Sequence, residues 1–253
     1  MILDEIVRRT EKRVAKMPES FPETTINPRQ IASLAGAIRN RNGKNAVIAE
    51  IKCASPSSGI IRRNVDMPMM AGVLAEGGCV GISVLTEPCF FGGTGRDIGR
   101  VKSAVCLPVL RKDFIIDERQ VAESRALGAD AVLLIAALLG KRLPVFVDLA
   151  MSYGLEPLVE VHTRAEADAA LVTDTILVGI NNRNLATMTI DRSTTRLLSE
   201  ELRKAGKLVV SESGMRSADD IREMKPYCDA FLIGSSIMAH DHPRKKLEEF
   251  VCA

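Results

Sequence analysis

Eight short apolar runs, recurring at intervals of roughly 20 to 35 residues, constrain this chain more than any other feature. They begin near Ala46, Cys79, Leu107, Ala131, Glu156, Ile176, Leu208 and Asp229. Each is branched and nearly continuous in hydrophobicity, the pattern of a parallel strand buried on both faces. Between them, MPMMAGVLAEGG, DERQVAESRALG, LPVFVDLAMSYG and SADDIREMK read as helices. Several end in Gly, as helix C-termini often do. Ser217 and Asp220 have the spacing of a capping box. Eight strands alternating with helices predict an α/β fold, a (β/α)8 barrel. The rival, an open doubly wound sheet, usually carries a glycine-rich nucleotide loop after its first strand. Here the first strand runs into KCASPSSG, with neither GxGxxG nor a P-loop lysine.

An extension precedes the barrel. Leu3, Ile6, Val7, Val14 and Met17 share one stripe of an amphipathic helix over Ile2 to Met17. The stretch MPESFPETTINP breaks regular structure, and a second short helix is expected from about Pro28 to Arg41. No low-complexity tract divides the 253 residues, so 1–253 read as one barrel domain, with 1–45 as an N-terminal helical extension. Thirty-four basic and 32 acidic residues leave a net charge of +2, which signals neither nucleic acid nor membrane binding. The longest apolar run, AVLLIAALLG, is too short to span a bilayer. MILDEIVRRTEK lacks the basic start and apolar stretch of a signal peptide. The six cysteines have no CxxC spacing and build no ligand cluster with the three histidines. A cytoplasmic chain with reduced cysteines and no metal is expected.

Charges recur where the apolar runs end. Glu50 and Lys52 close AVIAEIK, Lys112 closes LPVLRK, Glu160 closes EPLVE, Asn181 closes ILVGIN and Glu212 closes KLVVSE. Burying one such charge is costly unless it is paired or functional. Barrel catalytic groups sit at the C-terminal ends of strands, so these six predict one shared polar site. Glu50 and Lys52, two apart on a strand, point the same way. Two lysines, three carboxylates and an amide around one mouth equip it for acid–base work on a carbonyl or imine. Structural salt bridges lining the barrel are the plainer account of any single member. His162, two residues after Glu160, reads more as a rim residue than a catalytic one. His240 and His242 read as solvated surface.

Two Gly/Ser turns follow the last two strands, SESG at 211–214 and IGSS at 233–236. Loops in these positions commonly bind phosphate through backbone N–H groups. Ser55, after the first strand, offers a further donor, and Pro56 stiffens its loop.

The strings IAEIKCASPSSGIIR, ISVLTEPCFFGG, LPVLRKDFIID, GADAVLLIAALL, LEPLVEVH, VGINNRNL, VVSESGMRS and AFLIGSSIM, in this order, resemble indole-3-glycerol phosphate synthases. The resemblance runs from about Ile26 to the C-terminus. It implies a lyase of tryptophan biosynthesis acting on 1-(2-carboxyphenylamino)-1-deoxyribulose 5-phosphate, an anionic arylamino ribulose phosphate. Ring closure, loss of carbon dioxide and loss of water then follow, with no cofactor or metal. The resemblance also implies that the extension packs over the barrel mouth.

Residue roles follow from the same resemblance. Lys112 is the acid of ring closure. Lys52 pairs with the substrate carboxylate and is a candidate acid for releasing the hydroxyl. Glu160 is the final base, with Glu50 as rival or helper. Asn181 and Glu212 position sugar hydroxyls, and Arg183 adds positive charge. Phe91, Phe114, Leu133 and Leu185 wall the aromatic ring, Leu133 being equally readable as core. Ser55, Ser213, Gly214, Gly234 and Ser235 hold the phosphate, with Leu232 and Ile233 beside them. Cys53 departs from the basic or polar residue often found there, and the glycines of FGGTG predict a mobile loop. A monomer is expected. The competing readings are another sugar-phosphate barrel, such as phosphoribosylanthranilate isomerase, and a non-catalytic phosphate-binding barrel.

Overall fold

The computed structural model describes residues 2–21, 32–184 and 187–253. Eight parallel strands close into a barrel: β1 (Ala46–Ile51), β2 (Gly81–Leu85), β3 (Val109–Lys112), β4 (Ala131–Ile135), β5 (Glu156–Val161), β6 (Leu177–Asn181), β7 (Leu208–Glu212) and β8 (Ala230–Ile233). β1 pairs with both β2 and β8. The strands begin within about two residues of the expected starts, as boundaries read from periodicity do. The expected capping box at Ser217 and Asp220 is present, and Asp117 with Gln120 forms another. All six cysteines are free.

Alternation along each strand divides the molecule into two packed layers. Ala46, Ile48, Leu110, Ala131, Leu133, Leu158, Leu177, Val210, Ala230 and Leu232 fill the barrel interior. Val47, Ala49, Ile51, Val132, Val159, Val178, Val209 and Phe231 face outward under the helices. Period-2 geometry then fixes where the polar residues go. Glu50 follows Ile48 on the inner face, Lys112 follows Leu110, Glu160 follows Leu158 and Glu212 follows Val210. These four strands, β1, β3, β5 and β7, therefore end their inward apolar ladders in a polar group at the C-terminal rim.

The two helices of the extension take opposite ends of the barrel. Helix α1 (Ile2–Val14) lies at the C-terminal mouth. Its Leu3 and Ile6 line the central cavity, and Arg13 reaches Asp113, beside Lys112, at 2.7 Å. Helix α2 (Leu34–Arg39) is shorter than the expected span, and Pro28 lies outside the described residues. It caps the other end. Glu156, the first residue of β5, accepts from the backbone N–H groups of Leu34 and Ala35 at 2.6 and 2.9 Å and from Ser33 Oγ at 2.6 Å. Leu34, Ala35 and Ile38 then seal the apolar interior. Helix α1 thus lies at the mouth and α2 at the opposite end. A carboxylate at a strand start draws α2 to the bottom, because it satisfies the N–H groups of the helix's first turn.

The glycine-rich segment after β2 serves close packing. Glu87, 2% exposed, accepts from the backbone N–H groups of Cys89, Phe90 and Phe91. Gly93 N–H donates to the Glu87 carbonyl at 3.1 Å. A Cβ on Gly93 would stand 1.8 Å from the Leu85 carbonyl oxygen and 3.1 Å from Thr86 Cα. Both obstacles are backbone, so neither can rotate away. Gly93→Ala is expected to destabilise the fold by about 1–3 kcal/mol through overpacking. The midpoint of urea unfolding, with unchanged slope, is the measurement.

Candidate active site

The polar rim encloses a cavity of about 460 Å³ at the C-terminal mouth. Lys112 stands at its centre. The ammonium Nζ lies 2.5 Å from Glu212 Oε2, 3.6 Å from Glu160 Oε2 and 3.8 Å from Glu50 Oε2. Lys52 Nζ pairs with Glu50 Oε1 at 2.7 Å. Five charges from β1, β3, β5 and β7 thus form one network, with Lys52 just past the end of β1.

The protonation states follow from burial and sign. Burial works against the charged form of Lys112, but Glu212, Glu160 and Glu50 outweigh it and hold the ammonium above its ordinary value. Burial likewise opposes ionisation of Glu50, yet Lys52 and Lys112 keep its carboxyl below the usual range. Glu212 goes the other way. Burial, helped by the negative charges of Glu160 and Glu50, raises it despite the contact with Lys112. Its Oε1 is buried with no hydrogen-bond partner among the described residues. This oxygen lies over Gly179, where a Cβ would come within 2.1 Å of it. Gly234 leaves the same room for Glu50, whose Oε1 would be 2.3 Å from a Cβ there.

Around the charges the wall divides by chemistry. Phe91 and Phe114, ring centroids 6.0 Å apart, form an apolar side with Leu133, Ile135, Leu3 and Ile6. The opposite side is built from the turns after β1, β7 and β8. Ser55, Ser213, Gly214, Gly234 and Ser235 line it, with Leu232 and Ile233 behind. Ser55 Oγ accepts from Ser58 N–H at 3.2 Å, which orders its loop. Ser213 and Gly214 both hold positive φ, +65° and +91°. Ser rarely adopts that region, so strain is stored beside the cavity.

Asn181 and Arg183 enter from the segment after β6. Asn181 Oδ1 accepts from Arg183 N–H at 3.0 Å, and Arg183 donates to the Met188 carbonyl at 3.1 Å. Buried Asn182 anchors that segment by donating to Ser211 Oγ and the Ser213 carbonyl and accepting from Thr195. Burial and the neighbouring Arg216 lower the Arg183 guanidinium from its ordinary value, against the pull of Glu50.

Every described residue that the sequence assigns to the site lines this one cavity, and Leu185 lies outside the described residues. Sequence reasoning missed Met188, Ile190, Arg216, Leu3 and Ile6. The first two arrive on an irregular segment without periodicity. Arg216, two after Gly214, carried the same signal as Arg183 after Asn181. Among the described residues, no group of three His, Cys, Asp or Glu is placed to hold a metal ion, and no helix is long and apolar enough to cross a membrane.

The chain resembles solved structures in fold. A tryptophan synthase alpha chain from Legionella pneumophila superposes with a TM-score of 0.64 at 8% identity, covering 86% of this chain and 95% of that one. A thiamine phosphate pyrophosphorylase from Pyrococcus furiosus gives 0.60 at 19% identity, covering 83% and 95%. Such identities speak for the barrel alone. Sequence comparison goes further. The family profile described as indole-3-glycerol phosphate synthase matches residues 3–250. The indole-3-glycerol phosphate synthase of Caldanaerobacter subterraneus subsp. tengcongensis is 44% identical, over 99% of this chain and 98% of that protein. That of Carboxydothermus hydrogenoformans is 39% identical, over 98% of each. With its whole barrel matched at this level, the chain belongs to the indole-3-glycerol phosphate synthase family.

Proposed function

We propose that the cavity converts 1-(2-carboxyphenylamino)-1-deoxyribulose 5-phosphate to indole-3-glycerol phosphate through the acid and base groups set around Lys112. The observation that carries the assignment of roles is the position of Lys112, one ammonium among three carboxylates at the centre of the mouth. The aryl carbon bearing the carboxylate attacks the ribulose carbonyl carbon. Lys112 gives its proton to the carbonyl oxygen as that bond forms. Carbon dioxide then leaves, and its bonding electrons restore the aromatic ring. Lys52 faces the carboxylate before this step and protonates the departing hydroxyl after it. Water leaves, and a base removes the last proton to form the indole.

Glu160 suits the base role better than Glu50 does. Glu50 is bound by Lys52 at 2.7 Å, whereas the nearest lysine to Glu160 is Lys112 at 3.6 Å. A carboxylate engaged this closely by a cation accepts a proton less readily. Phe91 and Phe114 stack against the anthranilate ring, and the turns bearing Ser55, Ser213, Gly214, Gly234 and Ser235 receive the phosphate. Arg183 adds charge for the anion, while Asn181 and Glu212 bind the sugar hydroxyls. The chain works in this reading as a single cytoplasmic barrel unit, monomeric and without cofactor.

The test is a fluorescence assay of indole formation from the substrate in the presence of EDTA. Product under EDTA supports a metal-free lyase. Substrate binding without product favours a barrel that binds a phosphate ligand and does no chemistry. Glu160→Gln is expected to lower kcat by about 10²–10⁴-fold, the usual worth of a general base, with KM nearly unchanged. An equal loss confined to Glu50→Gln would move the base to that residue.

A further inference from the structure

His162, expected at the rim, lies inside the network. It follows Glu160 by two residues, one past the end of β5, with its ring turned toward Glu160. Its side chain is only 12% exposed. Nδ1 lies 3.2 Å from Glu166 Oε2, and the backbone N–H of His162 donates to the same oxygen at 2.8 Å. Glu166 belongs to the helix Arg164–Leu171, whose N-cap Thr163 also bonds its carboxylate. Nε2 is buried 3.3 Å from Glu160 Oε1, within ion-pair range but off the angle of a hydrogen bond.

Both ring nitrogens therefore face carboxylate oxygens, which accept and do not donate when ionised. A neutral imidazole has one N–H. Its other nitrogen would direct a lone pair at a carboxylate, in a place water does not reach. The doubly protonated ring donates to Glu166 and sets its positive charge in ion-pair range of Glu160. We propose that His162, fixed from behind by Glu166, is a positioning residue that holds Glu160 ionised and aimed into the cavity.

The groups facing the ring come from several elements: Glu160 on β5, Glu166 on the following helix and Glu212 on β7, with Lys112 of β3 beyond Glu160. Burial opposes the imidazolium, but the hydrogen bond it donates to Glu166 and the charges of Glu160, Glu166 and Glu212 outweigh it and raise the ring above its ordinary value. A raised histidine contributes stability that is present below its unfolded value and lost as pH rises through the folded one. The same rise in pH removes the cation beside Glu160.

The inference rests on Glu160 being the base, so one experiment reads the pair without turnover. The chain has three histidines, and His240 and His242 sit in an exposed turn, where they serve as internal references for imidazole NMR. In the wild-type protein His162 is expected to titrate above both references, and Glu160→Gln is expected to lower its midpoint. A His162 midpoint at or below the references, unmoved by Glu160→Gln, overturns the pair.

The second readout is the pH dependence of kcat in His162→Gln. Without the imidazolium the acid limb should move to higher pH, giving a loss that approaches about tenfold at pH values below the limb if it moves one unit, and little loss on the plateau above it. A uniform drop across pH marks a merely structural role and overturns the proposal. Wild-type turnover in Glu160→Gln overturns the base assignment instead, and the NMR midpoint then still reports on the pair.

Discussion

Replacing Lys112 with Ala is expected to lower turnover by about 10²–10⁴-fold while the barrel stays folded. The loss in rate follows from the proposed roles, in which Lys112 protonates the carbonyl oxygen from the centre of the mouth and the other lysine of the network, Lys52, serves the substrate carboxylate and the departing hydroxyl. Stability falls too, for a separable reason. Lys112 neutralises three buried carboxylates, and its ammonium is held above the ordinary value, so its contribution is present throughout the neutral range. Removing it leaves Glu50, Glu160 and Glu212 facing one lysine. Glu212, already raised by burial, is the member that takes up a proton in response. Uptake of that proton limits the damage to about 1–3 kcal/mol, the cost of a buried polar group without its partner.

The sign with pH is fixed by the same chemistry. As pH falls, protonation relieves the repulsion among the carboxylates, so the variant's deficit shrinks. As pH rises, it grows. Urea unfolding of the wild type and the variant at pH 5.5 and pH 8 measures the difference. A deficit independent of pH would mean that Lys112 does not neutralise the cluster. Near-wild-type kcat would remove Lys112 from the chemistry altogether.

Legibility in the sequence divides along the same physical lines. A residue whose direction is set by its own strand was readable. Glu50, Lys112, Glu160 and Glu212 each continue the inward apolar positions of their own strand, so period 2 placed them at one rim. A residue whose place is set by another element was not. Helix α2 looks like any short helix in the sequence, and the Glu156 carboxylate, more than 100 residues away, helps seat it at the bottom of the barrel. His162 reads as a rim residue until Glu166 and Glu160 are seen on either side of it. The glycines of FGGTG predict mobility by composition, yet Gly93 is there because backbone from β2 leaves no room for a Cβ. Glycine in a sequence permits either freedom or close approach, and only the neighbour decides which.

Gly179 extends that lesson into the site, and Gly179→Ala should be among the most damaging single-methyl changes in the barrel. Its register partners on β5 and β7 are Glu160 and Val210, so the strand is held from both sides and has little freedom to retreat. The new Cβ would lie 2.1 Å from Glu212 Oε1 and 3.2 Å from Glu212 Cδ. Elsewhere a side-chain tip that close would rotate away. Here Oε2 of the same carboxylate is bound by Lys112 at 2.5 Å, so moving Glu212 also moves Lys112. The expected result is a loss of about 1–3 kcal/mol from overpacking, together with a fall in kcat of about 10²-fold or more as Lys112 shifts. The two effects separate in a double variant. Gly179→Ala with Glu212→Ala removes the clashing oxygen, so stability should recover relative to Gly179→Ala alone while turnover stays low. That non-additivity is the signature of direct contact between two sites. If the two losses in stability simply add, the methyl acts somewhere other than on Glu212, and the close fit between β6 and the carboxylate is not what holds Lys112 in place.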